Sequence, residues 1–137
     1  RAPRSGGRLQ QQVAQRDPEG LRTARHMIRA AVAAWGARER SDEIELAADE
    51  LITNALLHTD GGAVVTVRVL PGVERRMRVE VEDGSSALPH RRDAGFSGVS
   101  GRGLQLVEGL ADEWGVESRG NGKCVWCEFI VPDRPSR

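Results

Sequence analysis

The sequence SDEIELAADELITNALL, residues 41–57, decides the fold. It opens with Ser41, and the acids Asp42 and Glu43 suit the positive end of a helix dipole. Apolar side chains then recur at three- and four-residue steps around most of the circumference: Ile44, Ala47, Ala48, Leu51, Ile52, Ala55 and Leu56. We therefore expect a helix that starts at Ser41, runs to about Leu57 and is largely buried.

Three polar side chains interrupt this apolar helix. Glu50, Asn54 and His58 lie four residues apart, so they fall on one line of the helix surface. A buried polar group without a partner costs roughly 1–3 kcal/mol, so a carboxylate and a carboxamide need partners here. From the helix alone two interpretations remain open: a structural feature (a buried hydrogen-bond network or a narrow solvent-facing edge) or a ligand site.

The elements on either side predict an α+β fold. A first helix is expected after the capping pair Asp17-Pro18. Two hairpins are expected at residues 63–70 with 76–82 and at 114–119 with 123–131. In the second of these strands Met77, Val79 and Val81 are expected to face inward, and Arg78, Glu80 and Glu82 to face water. We predict a two-layer sandwich in which helices cover one face of a mixed, mostly antiparallel sheet.

The expected domain covers residues 17–131. Residues 1–16 hold four arginines and no acid and show no apolar periodicity, so we expect a flexible basic arm there. We also expect a flexible tail at residues 132–137. The long segment 83–100 is rich in glycine, serine, proline and arginine and is predicted to be a loop.

Composition excludes several functional classes. The chain has 20 basic and 20 acidic side chains and a net charge of zero, which argues against nucleic acid as a partner. It contains no apolar run of the ~18 residues that a membrane span needs, so we expect a cytoplasmic protein with no membrane contact. Cys124 and Cys127 fall on a predicted strand and point to opposite faces, which favours two buried thiols over a zinc or redox site.

Two glycine-containing turns add further candidates. Asp83-Gly84 follows a valine-rich strand, and Gly101-Arg102-Gly103 precedes a short helix. Glycines let a backbone approach phosphate closely, and the amides of a helix N-terminus supply donors. Each turn alone is also an ordinary turn. Neither the dinucleotide-binding fingerprint nor a P-loop is present.

In combination, these motifs resemble the GHKL ATP-binding fold over residues 17–131. The order is E-x-x-x-N on a helix, D-G after a strand, a loop, G-x-G-L before a helix, and a glycine turn before the last strand. That fold is shared by histidine-kinase catalytic domains, Hsp90, gyrase-type topoisomerases and anti-sigma-factor serine kinases. The N-A-L-L-H and G-K-C-V-W segments look most like stand-alone bacterial anti-sigma-factor kinases.

The resemblance implies ATP and Mg²⁺ as ligands and a role for each matching residue. Asn54 matches the magnesium ligand, Glu50 the general base, and Asp83 the residue that recognises the adenine amino group. The remaining candidates for nucleotide contacts are Gly84, Gly101, Arg102, Gly103, Leu104, His58 and Lys123. Many family members read D-x-G-x-G at the first glycine box, whereas this chain has Asp83-Gly84-Ser85-Ser86-Ala87. That departure weakens the expected adenine pocket.

Three functions follow as hypotheses. The first is a transcription-regulating serine/threonine kinase that phosphorylates a STAS-type anti-sigma-factor antagonist and also binds a sigma factor. The second is a switch module that binds sigma factor or antagonist without catalysis and binds nucleotide weakly or not at all. Histidine-kinase activity is less favoured, because the chain has no room for a phosphoacceptor helical hairpin. The resemblance also implies a possible homodimer.

Overall fold

The computed structural model describes residues 7–14, 16–57, 61–83, 101–119 and 122–131, with the backbone alone for 101–104. In chain order the elements are β1 (Arg8–Val13), α1 (Pro18–Ala34), a 3₁₀ turn (Arg38–Arg40), α2 (Ser41–Leu57), β2 (Ala63–Leu70), β3 (Arg76–Asp83), α3 (Gly101–Leu110), β4 (Glu113–Arg119) and β5 (Gly122–Ile130). All three expected helices and all four expected strands are confirmed, and β1 is additional.

The strands form one sheet in the order β1-β2-β3-β5-β4. Each neighbouring pair is antiparallel, so the expected α+β class is confirmed and the described sheet contains no parallel pair. Helix α2 packs against β2, β3 and β5, and α1 and α3 flank it. The core lies between these helices and the inward side chains of the strands, which include Val65, Val67, Met77, Val79 and Phe129.

The expected ends of α1 are confirmed. The Asp17 carboxylate accepts a hydrogen bond from the Gly20 amide at 3.1 Å, which satisfies one of the unpaired donors of the first turn. Pro18 occupies the first helical position. After Trp35, Gly36 adopts a φ of +76°, a left-handed conformation that stops the helix at little cost only in glycine.

The expectation of a flexible arm over residues 1–16 was wrong for β1. This strand pairs along its whole length with β2, from Arg8 opposite Arg68 to Val13 opposite Ala63. It escaped the sequence pattern because Val13 is its only buried side chain, so no apolar alternation marks it. Backbone pairing at the sheet edge holds it. Residues 1–6 and 132–137, the expected arm start and tail, lie outside the described residues.

The outer face of the sheet corrects a second expectation. Glu80, predicted to face water, is 4% exposed. Arg78 donates from Nε to Glu80 at 2.7 Å and from Nη1 to Glu128 at 2.8 Å. The Arg78 guanidinium also lies 4.2 Å from the centroid of the Trp126 ring. Strand alternation predicts which face a side chain takes, but not its neighbours on that face. Here Arg78 pairs with Glu80 of its own strand and with Glu128 of β5, so charged side chains cover one another.

The cysteine expectation is confirmed. Cys124 and Cys127 are buried free thiols. Cys124 lies opposite Glu82 and Glu117 on the outer face, whereas Cys127 belongs to the hydrophobic core.

Candidate functional site

The candidate residues of α2 and β3 lie at one end of the sheet. Helix α2 ends at Leu57, and β2 begins six residues later at Ala63. Ala63 is the register partner of Asp83, the last residue of β3. The last turn of α2 and the end of β3 are therefore connected through the start of β2. We call this side of the molecule the ligand end, defined by Asn54, Asp83, Gly101 and Gly122.

Helix α3 starts at the same end. Its last residue, Leu110, accepts a hydrogen bond through its carbonyl from Arg40 Nη2 at 3.3 Å, and Arg40 directly precedes α2. Arg40 therefore brings the start of α2 to the end of α3. Because the two helices also pack together, they are antiparallel. At ~1.5 Å per residue, α3 spans roughly 14 Å, which brings Gly101 level with about residue 50 of α2. We therefore expect the first turn of α3 near the turn of α2 that carries Glu50.

Asn54 is the most defined of the predicted site residues. Its side chain is 6% exposed, and Nδ2 donates to the Glu50 carbonyl at 3.0 Å. This bond fixes the orientation of the carboxamide, whose Oδ1 is the atom that carries lone pairs suited to a cation. Glu50 itself is half-buried on the same helix. A carboxylate and an oriented amide oxygen therefore lie one helical turn apart.

The end of β3 and the start of β5 bring an acid, Asp83, and a basic residue, Lys123, to the ligand end. Asp83 is half-buried. Burial lowers the pKa of the Lys123 ammonium below its usual range, and the Asp83 carboxylate acts in the opposite direction. Gly122 brings the two strands unusually close, because a Cβ there would lie 2.5 Å from the Asp83 carbonyl oxygen. The geometry joins Lys123 to Asp83, a combination that the sequence left unassigned.

The Gly101-Arg102-Gly103 segment forms the first turn of α3 and does not precede the helix as a separate turn. The first amides of a helix lack intrahelical partners and carry partial positive charge, so this backbone suits a phosphate group. Leu104 belongs to the same turn. His58 and Gly84 lie outside the described residues, so their predicted contacts stay predictions.

The donor set at the ligand end fits magnesium with phosphate. Mg²⁺ takes oxygen ligands and usually keeps several waters and phosphate oxygens beside one or two protein groups. Asn54 Oδ1 is such a group. In the described part of the chain, the ligand end included, no cluster of three or more His, Cys, Asp or Glu side chains could hold a metal ion.

Comparison with known proteins identifies the family. The family model described as the histidine kinase-like ATPase domain matches residues 14–129. The chain belongs to this family. The resemblance to GHKL proteins is thereby confirmed, and the histidine kinase-like ATPase domain is an ATP-binding domain of the kinase and ATPase type.

One curated protein is similar in sequence to this chain. The uncharacterized protein SCO4941 of Streptomyces coelicolor is 37% identical over 81 residues, which cover 58% of this chain and 77% of the relative. Among the described residues of this histidine kinase-like ATPase domain, no helix has the length and apolar content to cross a membrane.

Sequence reasoning missed Arg40 altogether. The stretch Arg38-Glu39-Arg40 reads as an ordinary charged turn before a helix. The structure instead places the Arg40 side chain between α2, α3 and β5, where it bonds Leu110 and Ile130. The contact partners are far away in sequence, so no local pattern signals them.

Proposed function

We propose that this domain is a serine/threonine kinase that transfers the γ-phosphate of ATP to a STAS-type anti-sigma-factor antagonist. In this partner-switching role it also holds a sigma factor, which the unphosphorylated antagonist releases. The observation that carries the proposal is the pairing of Glu50 with an oriented, buried Asn54 on α2. Family membership supports the ATP-dependent part.

The mechanism assigns separate tasks to the two residues of α2. Asn54 Oδ1 would hold Mg²⁺, which neutralises charge on the phosphates when it is bound. Glu50 accepts the proton of the serine hydroxyl as the serine oxygen forms a bond to the γ-phosphorus. The bond from that phosphorus to the β-phosphate oxygen breaks, and ADP leaves. Most of the acceleration in such reactions comes from positioning and charge stabilisation.

Two further features orient the nucleotide in this proposal. The first-turn amides of α3 hold the phosphates, and the Asp83 carboxylate accepts a hydrogen bond from the adenine amino group. Lys123 adds a positive charge beside Asp83. These contacts place the γ-phosphate on the side of α2 that carries Glu50.

Phosphoryl transfer with a matched pair of variants tests the kinase proposal. The full chain is incubated with Mg-ATP and its cognate antagonist, and phosphoserine is measured by mass spectrometry. We expect Glu50→Gln to slow transfer by about 10²–10⁴-fold, because a general base contributes that much. The control is Asp49→Asn. Asp49 is the neighbouring carboxylate and pairs with Arg25 at 2.9 Å, so we expect its replacement to leave phosphoryl transfer unchanged. Absence of phosphoserine on a verified antagonist refutes the kinase proposal.

A second candidate is a switch that binds its protein partners without catalysis. The sequence Asp83-Gly84-Ser85-Ser86-Ala87 favours it, because the later glycines of the first box are missing. Calorimetry with ATP and ADP separates the two functions. We expect Asn54→Ala and Asp83→Asn each to weaken ATP binding about tenfold or more, since each removes a hydrogen bond or ligand to a charged group. If the unaltered protein shows no detectable binding at millimolar nucleotide, the kinase function is excluded and only the non-catalytic switch function remains.

A further inference from the structure

Arg40 joins three elements at the end of the molecule opposite the ligand end. Its Nε donates to Glu43 Oε1 at 2.8 Å, within the first turn of α2. Its Nη1 donates to Asp112, after α3, and to the Ile130 carbonyl of β5 at 3.2 Å. Its Nη2 donates to the Leu110 carbonyl at 3.3 Å. One guanidinium therefore ties α2 to α3 and to the sheet.

The surroundings hold this guanidinium in place. The Arg40 side chain is 22% exposed and lies 5.1 Å from the centroid of the Phe129 ring. Its partner Asp112 is fixed as well, because the Asp112 carboxylate accepts from the Ile130 amide at 2.8 Å and its own amide donates to the Glu128 carbonyl at 2.9 Å. Arg40 thus contacts groups that are themselves anchored to the sheet.

The bond to Leu110 bears on the position of α3. Leu110 is the last residue of that helix, and its carbonyl is one of the four that no helical amide can reach. A cation at this end also favours the helix dipole. Between residues 105 and 110 the one fully buried side chain is Val107, so α3 has a short apolar anchor and depends on its ends.

We infer that Arg40 is a positioning residue for the phosphates of ATP. It fixes the C-terminal end of α3 against α2, and a rigid helix carries that position to its first turn, beside Glu50 and Asn54. This inference rests on the phosphate role that the proposed function gives to the first turn of α3. Arg40 lies about 21 Å along α2 from Asn54 and touches no nucleotide.

Arg76 is the matched control for the alternative that Arg40 has a purely structural role. Its side chain is 25% exposed and bonds three carboxylates, those of Glu74, Glu113 and Glu128. In the described part of the chain, none of these bonds reaches α3. Replacement of either arginine by lysine keeps the charge but loses the planar fork that serves several acceptors at once. Both variants lose stability, and only Arg40→Lys releases α3.

Calorimetry with two ligands separates positioning from stability. Mg-ATP and adenosine are titrated into the wild type, Arg40→Lys and Arg76→Lys, all as full chains. We expect Arg40→Lys to weaken Mg-ATP binding roughly tenfold, a loss of about 1.4 kcal/mol, because the first turn of α3 is no longer held in place. Adenosine affinity stays unchanged, because adenosine lacks the phosphates that α3 holds. Arg76→Lys leaves both affinities unchanged.

Hydrogen exchange gives a readout that does not need nucleotide. In Arg40→Lys we expect faster amide exchange over residues 105–110 than in Arg76→Lys, compared at equal global stability. Two results would overturn the inference. One is that Arg40→Lys loses as much affinity for adenosine as for ATP, and the other is that its amide exchange over residues 105–110 matches that of the Arg76→Lys control. If the wild type binds no ATP, the proposed function fails and the inference with it. If the wild type binds ATP and Arg40→Lys shows no selective loss, the inference alone fails.

Discussion

The close approach of Gly122 to β3 predicts a substitution that should harm the fold. A Cβ at this position would lie 2.5 Å from the carbonyl oxygen of Asp83. That is about 1 Å short of the ~3.5 Å at which such atoms attract. The oxygen belongs to the backbone of a paired strand, so it cannot rotate away as a side chain would. Gly122→Ala must therefore separate the ends of β3 and β5.

The size of the effect follows from two opposing contributions. Overpacking in a tight site costs about 1–3 kcal/mol. Replacing glycine by alanine restricts the unfolded chain and returns about 0.4–1 kcal/mol. We expect Gly122→Ala to lower the free energy of unfolding by about 1–2 kcal/mol. The matched control is Gly109→Ala in α3, where a Cβ meets nothing within 4 Å and should raise stability by about 0.5 kcal/mol.

Urea unfolding followed by tryptophan fluorescence measures both variants. With an m-value of about 2 kcal/mol/M, the midpoint of Gly122→Ala falls by about 0.5–1 M, whereas that of Gly109→Ala rises by about 0.2 M. The two substitutions are chemically identical, so the opposite signs reflect the local surroundings: a tight approach of two strands at Gly122 and open space on a helix at Gly109. A Gly122→Ala protein as stable as the wild type would show that β3 and β5 do not approach each other as described.

Two further predictions concern ionisable groups. Burial raises the pKa of both Cys124 and Cys127 to about 12, so we expect neither thiol to react with a disulfide reagent at pH 8 until the protein unfolds; rapid reaction of the native protein contradicts their burial. Burial opposes ionisation of Glu80 and Asp112, but hydrogen bonds together with the charges of neighbouring arginines outweigh it and lower both pKa values. A lowered pKa stabilises the fold only while the carboxylate is ionised, so this stability is present above about pH 4.5 and is lost as the pH falls through the folded-state values. We expect the urea midpoint to drop more steeply below that pH in the wild type than in Glu80→Gln, and parallel curves would contradict this.

The sequence predicted the elements that carry a strong period. Helix α2 was expected from Ser41 to about Leu57 and has those bounds, because apolar positions every three or four residues face a core on most sides. The strand Ala63–Leu70 was likewise predicted at its actual bounds. Asn54 was a candidate because a polar side chain within an apolar pattern needs a hydrogen-bond partner or a ligand. The buried, oriented amide is consistent with that argument.

The features that escaped prediction depend on partners distant in sequence. Strand β1 is held by the backbone of β2, and its own side chains show no alternation. Glu80 looked exposed because its burial depends on neighbours from other strands: Arg68 of β2, Arg119 of β4 and its register partner Trp126 of β5. Tertiary pairing decides such cases, and a single sequence does not encode which strand will be the neighbour.

The residues proposed to meet the ligand lie at one end of the molecule, and Arg40, which joins the helices, lies at the other. The sequence pointed to the proposed residues because Asn54 interrupts an apolar pattern and because glycines occupy positions 101 and 103. The opposite end, where Arg40 joins α2, α3 and β5, looks in the sequence like any charged turn. Helices α2 and α3 connect the two ends, and a close-packed interior transmits strain, so we expect a displacement at Arg40 to reach the first turn of α3. Substitutions that alter ATP affinity should therefore occur at both ends, about 20 Å apart along α2.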